Sequence, residues 1–369
     1  MPASDSQRIL VRGVNWLGDA VMTTPALLRL REARPRAHIT LLTHAKLRDL
    51  WRGHPAIDAV ETFDSGESAW SVGRKLHSKK FDLGLLLPNS PRSAFELWLA
   101  RIPERVGYAR PWRNWLLTQK IPQRPGAVAM QKPSPAQINR LIAQNQPRTL
   151  PPPAAHHLFQ YLQLTAALGA KVEPLPPQLA VPETAVAEFL AKFKIPAATK
   201  DSPLFGLNAG AAYGPAKRWP EERFTRAAIQ IQRLTQCRWL ICGSKSESAA
   251  AGRIAAQVPQ AFNLAGATTL GELCAALKLC RVLLTNDSGP MHVAAALGAP
   301  VVVPFGSTSP ELTGPGLPGD PRHRLLRAEA ACAPCFLRAC PIDFRCMNGI
   351  TVDAVVKAVM EVTGQTRGS

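Results

Sequence analysis

Five stretches of this chain put reactive or charged side chains where they could act on a ligand. Asn286, Asp287 and Ser288 follow an apolar run ending at Thr285 and precede Gly289, Pro290 and a short apolar helix. Asn, Asp and Ser satisfy the free N–H groups of a helix start, and glycine lets a ligand come close to the backbone. Pro290 suits the first helical position. A helix start at the carboxyl end of a strand is where a phosphate is held. His292, one turn in, either packs or reaches a ligand there. The loop Asn208–Pro220 carries Gly210, Gly214, Lys217 and Arg218. A lysine is usually a solvated charge; beside a diphosphate it is a counter-charge. The loop Gly243–Glu247 offers a carboxylate, either a helix cap or a partner for ribose hydroxyls. Lys217, Glu247 and the helix start at Ser288 could converge on one nucleotide.

The stretch Gly13–Pro25 has different chemistry. Its glycines, Gly13 and Gly18, imitate the spacing of a P-loop. A P-loop then needs Lys and Ser or Thr. Asp19 and Ala20 stand there instead, and no G-x-G is present, so this loop does not cradle phosphate. Asp19 is either a helix N-cap or a general base. Cys332, Cys335, Cys340 and Cys346 fall within fifteen residues, but only the first two have C-x-x-C spacing. Zinc sites usually show two close pairs, so reduced thiols packed together are expected and no metal is assigned.

These groups need strands and helices behind them. Ile9–Val11, His38–Thr43, Val60–Phe63 and Leu83–Leu87 read as strands, with helices through about Ala33, near Ala45–Trp51 and near Trp70–His77. Leu204–Leu207, Arg238–Cys242, Arg281–Thr285 and Val301–Val303 repeat the pattern, with a helix at Glu221–Leu234. Leu270, Leu273, Cys274 and Leu277 mark another at helical spacing. His157–Leu168 and Val352–Val359 are helical too. Such alternation predicts parallel sheets wrapped by helices. The prolines at 174, 176 and 177 suggest a domain boundary. The expected domains are 1–177, 178–346 and a last helix in 347–369.

At 369 residues the chain has room for two ordinary domains. No apolar run approaches the roughly 18 residues that span a bilayer. The first residues lack the apolar centre of a signal peptide, so a cytoplasmic protein with reduced thiols is expected. The formal charge of +18 implies an anionic partner. The charge concentrates between Arg101 and Arg148, where nine basic residues face Glu104 alone, with Trp112 and Trp115 among them. Residues 122–153 are rich in Pro and Gln and read partly as a loop.

Four of these stretches carry a resemblance to a known family: NWLGDAVMTTP at 15–25, LPNSPRSA at 87–94, GAAYGPAKRWP at 210–220 and NDSGPMHVAAALGAPVV at 286–302. The chain resembles the bacterial ADP-heptose:lipopolysaccharide heptosyltransferases of glycosyltransferase family 9, most closely the heptosyltransferase II branch. The resemblance implies an α/β GT-B fold, two Rossmann-like domains facing across a cleft, with the last helix crossing back to the first domain. It implies inverting transfer of heptose from ADP-L-glycero-D-manno-heptose to the first heptose of the lipopolysaccharide inner core, with no cofactor or metal. Asp19 matches the catalytic base. Lys217, Glu247, Asp287, Ser288, Gly289 and His292 match the donor-binding set, with Lys217 also counted as catalytic. Asn15, Trp16, Asn89 and Arg92 match the acceptor side. Pro91 departs from the family pattern, which leads one to expect an aromatic or charged residue. The expected partners are ADP-heptose, a phosphorylated or anionic lipid A–Kdo–heptose acceptor and the anionic cytoplasmic face of the inner membrane.

Three other readings remain at this point. Heptosyltransferase I, or another core transferase of the family, would share the fold. A sugar-nucleotide epimerase would turn over donor without acceptor. A nucleic-acid-binding protein would suit the charge, but the chain has no helix-turn-helix, zinc-finger or RNP signature, and no nucleic-acid partner is expected.

Overall fold

The computed structural model describes residues 7–145 and 149–364. The chain forms two compact units. One holds the residues up to Ala127 together with His156–Ala180; the other holds Val128–Ala155 and everything from Val181.

In chain order the elements of the first unit are β1 (Arg8–Arg12), α1 (Leu17–Met22), α2 (Thr24–Ala33), β2 (His38–His44), β3 (Ala59–Phe63), α3 (Ala69–His77), β4 (Leu83–Leu86), α4 (Pro91–Leu99), β5 (Glu104–Tyr108) and β6 (Gln119–Ile121). Helix α5 (Pro135–Gln144) follows within the second unit, and α6 (Leu158–Ala166) returns to the first. The sheet is wholly parallel, in the order β3-β2-β1-β4-β5-β6. Ile9 lies opposite Ile39 on one side and Leu83 on the other. Both faces are covered, which is why the inner strands are unbroken apolar runs. Leu10, Leu42 and Leu86 pack with Val72 and Leu76 of α3 and Ala94 and Leu97 of α4.

The second unit continues with α7 (Glu183–Phe193), β7 (Leu204–Asn208), α8 (Glu221–Thr235), β8 (Arg238–Ile241), α9 (Ser248–Gln257), β9 (Phe262–Asn263), α10 (Leu270–Leu279), β10 (Leu283–Thr285), α11 (Gly289–Ala296), β11 (Val301–Pro304), α12 (Pro310–Thr313), β12 (Arg324–Leu326), α13 (Arg345–Asn348) and α14 (Val352–Thr363). Its sheet runs β12-β11-β10-β7-β8-β9, again all parallel. Renumbered within each unit, both orders are 3-2-1-4-5-6. In such a sheet the winding reverses between strands 1 and 4, and ligands bind beyond the carboxyl ends of those two strands. The loops at issue are therefore those after β1 and β4 in the first unit, and after β7 and β10 in the second.

Several expectations need correction. Contacts divide the chain at 180/181 rather than at 177, and they assign residues 128–155 to the second unit. Cys332 and Cys335 pack with Ile138 of α5, which explains that assignment. Helix α14 buries Val355 and Val359 in the core of the second unit, with Trp239 and Phe224. The Pro- and Gln-rich segment contains α5, started by Pro135 and a capping box between Ser134 and Gln137. Strands β5 and β6 lie in the basic segment; their charges hide them, since in β6 only Ile121 is buried. The helix expected near Ala45–Trp51 is present, as a 3₁₀ helix over those residues. The basic segment is thus divided between the two units, Arg113 in it is buried, and Arg148 lies outside the described residues.

Candidate active site

Asp19 is not an N-cap. Trp16 occupies that position without a side-chain cap, and Asp19 stands in the first turn of α1. The backbone that delivers it is held from below. Arg12, at the end of β1, is buried and pairs through Nε with Glu96 of α4 at 2.8 Å. Its Nη1 reaches Asn15 Oδ1 at 3.2 Å, and its guanidinium lies 4.2 Å from the Phe63 ring. Burial lowers the Arg12 pKa, and Glu96 opposes that shift. The loop after β1 thus rests on a buried ion pair that ties it to α4. Burial chiefly, and then the charge of Asp19, push the phenol of Tyr161 in α6 well above its ordinary value.

The loop after β4 comes to the same end of the sheet. Ser90 caps α4 by accepting from Ser93 N, and Pro91 is the first helical residue, a position that suits proline. The wholly buried Arg113 donates from Nη1 to Pro88 O at 2.7 Å; burial and then Arg110 push its pKa down to about 10. Asn89 is exposed, as are Asn15 and Trp16. Arg92 is exposed as a residue, but Glu96 Oε1 takes its Nε at 3.0 Å and Glu67 O takes its Nη2.

In the second unit, α11 begins at Gly289, with Ser288 as N-cap and Pro290 second rather than first. Ser288 turns its hydroxyl inward, to Asn208 Nδ2 at 3.1 Å and Thr285 Oγ1 at 3.3 Å. The first N–H groups of the helix therefore lack a side-chain cap, and Ser288, Gly289 and Pro290 are partly exposed. Such an end attracts an anion. Asn286 is fully buried and joins the two loops: its Oδ1 accepts from Trp219 N at 2.9 Å and its Nδ2 donates to Ala209 O at 2.6 Å. Lys217 is no solvated charge. Its Nζ lies 2.7 Å from Asp287 Oδ2 and 5.0 Å from the Tyr213 ring. Thr308 donates to the same Asp287 oxygen at 2.5 Å. His292 is buried, and burial pushes its pKa down to about 4, so its imidazole is neutral at pH 7.

Glu247 closes a capping box, accepting from Ser244 N and Ser244 Oγ at 2.8 Å each. Its other oxygen presses on the Gly210 backbone; a Cβ there would lie 1.9 Å from Glu247 Oε1. The carboxylate also lines a pocket of about 390 Å³, within the range of small-ligand sites. Trp219, Cys242, Ala251, Phe344 and Met347 give that pocket apolar walls, and Arg218 stands at its side. Lys217, Asp287 and Ser288 do not line it. The loop after β7 contributes to both the pocket and the charged pair, and Asn286 ties it to the loop after β10. The expected donor set is thus divided between a nucleoside-sized pocket and an anion-attracting helix start, both bounded by one loop.

Sequence reasoning missed Arg12 with Glu96, Arg113, Thr308 and Asn208. Arg12 and Asn208 had a signal, since each is a polar residue ending an apolar strand. The four clustered cysteines do come together. Burial, then Cys335 and Cys340, push Cys332 up, and burial, then the other three thiols, push Cys346 up to about 12. Among the described residues, no group of three or more His, Cys, Asp or Glu side chains is placed to hold a metal ion.

Two doubly wound units in one chain, each gathering its loops at a switch point, define the GT-B class of glycosyltransferases, which the solved neighbours share. The family described as glycosyltransferase family 9 (heptosyltransferase) matches residues 134–344, more than half of the chain, and the chain belongs to that family. It is 30% identical over 320 residues to lipopolysaccharide heptosyltransferase 2 of Salmonella typhimurium, covering 84% of this chain and 85% of that one. It is likewise 30% identical over 325 residues to the Escherichia coli K12 protein of the same name, covering 84% and 85%. The structure of E. coli ADP-heptose lps heptosyltransferase II superposes with a TM-score of 0.75 at 26% identity, covering 97% of this chain and 99% of that one. A family 9 glycosyl transferase from Veillonella parvula gives 0.77 at 24% identity, covering 98% of each, and shows the fold.

Proposed function

We propose that this glycosyltransferase moves heptose from ADP-L-glycero-D-manno-heptose to the first heptose of the lipopolysaccharide inner core, with inversion at the anomeric carbon. The observation that carries the reading is the pairing of Lys217 with Asp287 beside the α11 start. A diphosphate seated there meets the helix N–H groups and the free donors of Lys217, which stabilise the leaving group without a divalent metal. Glu247, lining the adjacent pocket, is the candidate partner for ribose hydroxyls. Asp19 takes the acceptor proton as the glycosidic bond forms. The loops carrying Asn15, Trp16, Asn89 and Arg92 belong to the acceptor side. The acceptor bears a lipid, so the enzyme works in the cytoplasm, peripherally against the anionic face of the inner membrane. The net charge supports that, and among the described residues no helix is long and apolar enough to cross a membrane.

The test is incubation with ADP-heptose and defined core acceptors in EDTA, with product mass measured. Addition of one heptose to an acceptor that already carries the first heptose is expected. Transfer only to the heptose-free acceptor would assign the chain to the heptosyltransferase I reaction instead. Consumption of donor without acceptor would refute transfer, and complete loss in EDTA would refute metal independence. Asp19→Asn should bind ADP as the wild type does, with turnover down by about 10²- to 10⁴-fold. Unchanged turnover per folded molecule would remove Asp19 from the chemistry.

A further inference from the structure

The first unit carries a chain of touching aromatic rings of which Phe95 packs against the core and the three tryptophans stand exposed. Trp70 of α3 meets Phe95 of α4 with centroids 5.8 Å apart, Phe95 meets Trp98 at 5.6 Å, and Trp98 meets Trp115 at 6.0 Å. Their exposures are those of surface residues: 62% for Trp70, 42% for Trp98 and 66% for Trp115. Trp112, 85% exposed, is three residues from Trp115 and stands in the left-handed region at φ 65°. Indoles are costly to leave in water, and an exposed apolar patch of this kind marks an interaction site.

Charge identifies what the patch meets. Arg74 stands one turn along α3 from Trp70, on the same helix face, and is exposed. Arg101, also exposed, follows Trp98 by three residues at the end of α4. Arg105 donates to Leu116 O at 2.7 Å, beside Trp115. Of the nearby acids, Glu67 ahead of α3 accepts from Ser71 and Glu96 is buried against Arg12 and Arg92, which leaves Glu104 as the exposed one. Aromatic rings fringed by cations are the composition of a face that sits in the headgroup layer of an anionic bilayer. Ring geometry disfavours single-stranded nucleic acid, which needs faces open in series for stacking. Here Phe95 and Trp98 stack on one another at 13°, while Trp70–Phe95 and Trp98–Trp115 are edge-to-face at 88° and 68°.

We infer that the Trp70–Phe95–Trp98–Trp115 stripe is the surface by which the first unit enters the interface of an anionic membrane. This rests on the membrane reading above and gives it a location. The test uses the full chain and vesicles of phosphatidylethanolamine with phosphatidylglycerol, against phosphatidylcholine alone. Wild type should sediment with the anionic vesicles. Trp98→Ser with Trp115→Ser should weaken that partitioning by about tenfold or more, because two large apolar groups no longer leave water. Thermal unfolding and ADP binding should stay as in the wild type, and transfer to a delipidated, water-soluble acceptor should be unchanged. Vesicle binding by the double variant equal to wild type would overturn the stripe while leaving the membrane reading intact. No binding by wild type would overturn both. Loss of a self-associated form in sedimentation velocity, or competition by an oligonucleotide, with vesicle binding unaltered, would assign the stripe to another partner and overturn the inference.

Discussion

Removing Lys217 should do two separable things, and a double-mutant cycle can part them. In the folded chain its Nζ lies 2.7 Å from Asp287, whose side chain is only 4% exposed and whose other donor is the Thr308 hydroxyl. Lys217→Ala leaves that carboxylate buried with one neutral donor. Breaking a buried pair in this way costs about 3–5 kcal/mol, and the low end applies because the lysine side chain is 14% exposed and part of its energy is already screened. The second unit should therefore lose about 3 kcal/mol. Separately, ADP should lose a charge-assisted hydrogen bond worth about 1.5–3 kcal/mol, a factor of about 10–150 in Kd. Lys217→Ala with Asp287→Ala removes the stranded carboxylate too, so most of the stability should return. ADP affinity should not, because the missing donor is still missing. Urea unfolding and calorimetric titration with ADP, both in EDTA, measure the two quantities on the same four proteins. If the double variant regains wild-type ADP affinity, Lys217 serves only to neutralise Asp287, and its role toward the diphosphate is wrong.

Acid should weaken the fold in a definite window. His54, His292 and His323 are buried, and burial pushes each pKa down to about 4 from 6.5. Below pH 6.5 the unfolded chain takes up protons that the folded chain refuses, so stability is complete above that pH and falls toward pH 4; at pH 5 each histidine should cost about 2 kcal/mol. Urea midpoints at pH 7 and pH 5 check this, and His292→Gln should flatten the dependence; equal stability at both pH values would refute it. Cys332→Ser with Cys335→Ser should lower the urea midpoint and leave turnover at saturating donor unchanged, since both thiols pack against Ile138. Stoichiometric zinc in the purified protein would contradict the reading of the cluster as packed thiols.

The architecture was legible because parallel strands buried on both faces are unbroken apolar runs, and each ends in residues that cannot continue it. That located the loops after β1, β4, β7 and β10, and with them Asp19, Lys217 and Ser288. The basic segment hid β6 because a three-residue strand at the edge of the sheet needs few apolar side chains, and hid β5 because it opens on two charged residues, Glu104 and Arg105. What a linear reading could not supply was pairing over distance. Arg12 meets Glu96 eighty-four residues on, and Asp287 is held by Lys217 and Thr308 from two other loops. Nor could spacing alone decide that Ser288 turns inward, that Glu247 caps its own helix or that Arg113 is buried. Those outcomes depend on which neighbour the fold delivers.

The loop that carries Lys217 is not closed by its own residues alone. Arg338 O accepts from Ala216 N at 3.0 Å, Arg338 Nε donates to Tyr213 O at 2.7 Å, and Tyr213 donates from its hydroxyl to Phe336 O at 2.7 Å. Gly214, at φ 155°, has no room for a Cβ, which would lie 2.4 Å from Arg338 O. Residues 336–338 therefore act as a splint laid along 213–216, and the two should open together or not at all. Hydrogen exchange should show it: the Ala216 amide is expected to exchange only when 336–338 opens as well. The order of the loop after β7 is then borrowed from a segment some 120 residues downstream, and, on the proposed function, insertions or deletions between Cys335 and Cys340 should change donor affinity without altering any residue of that loop.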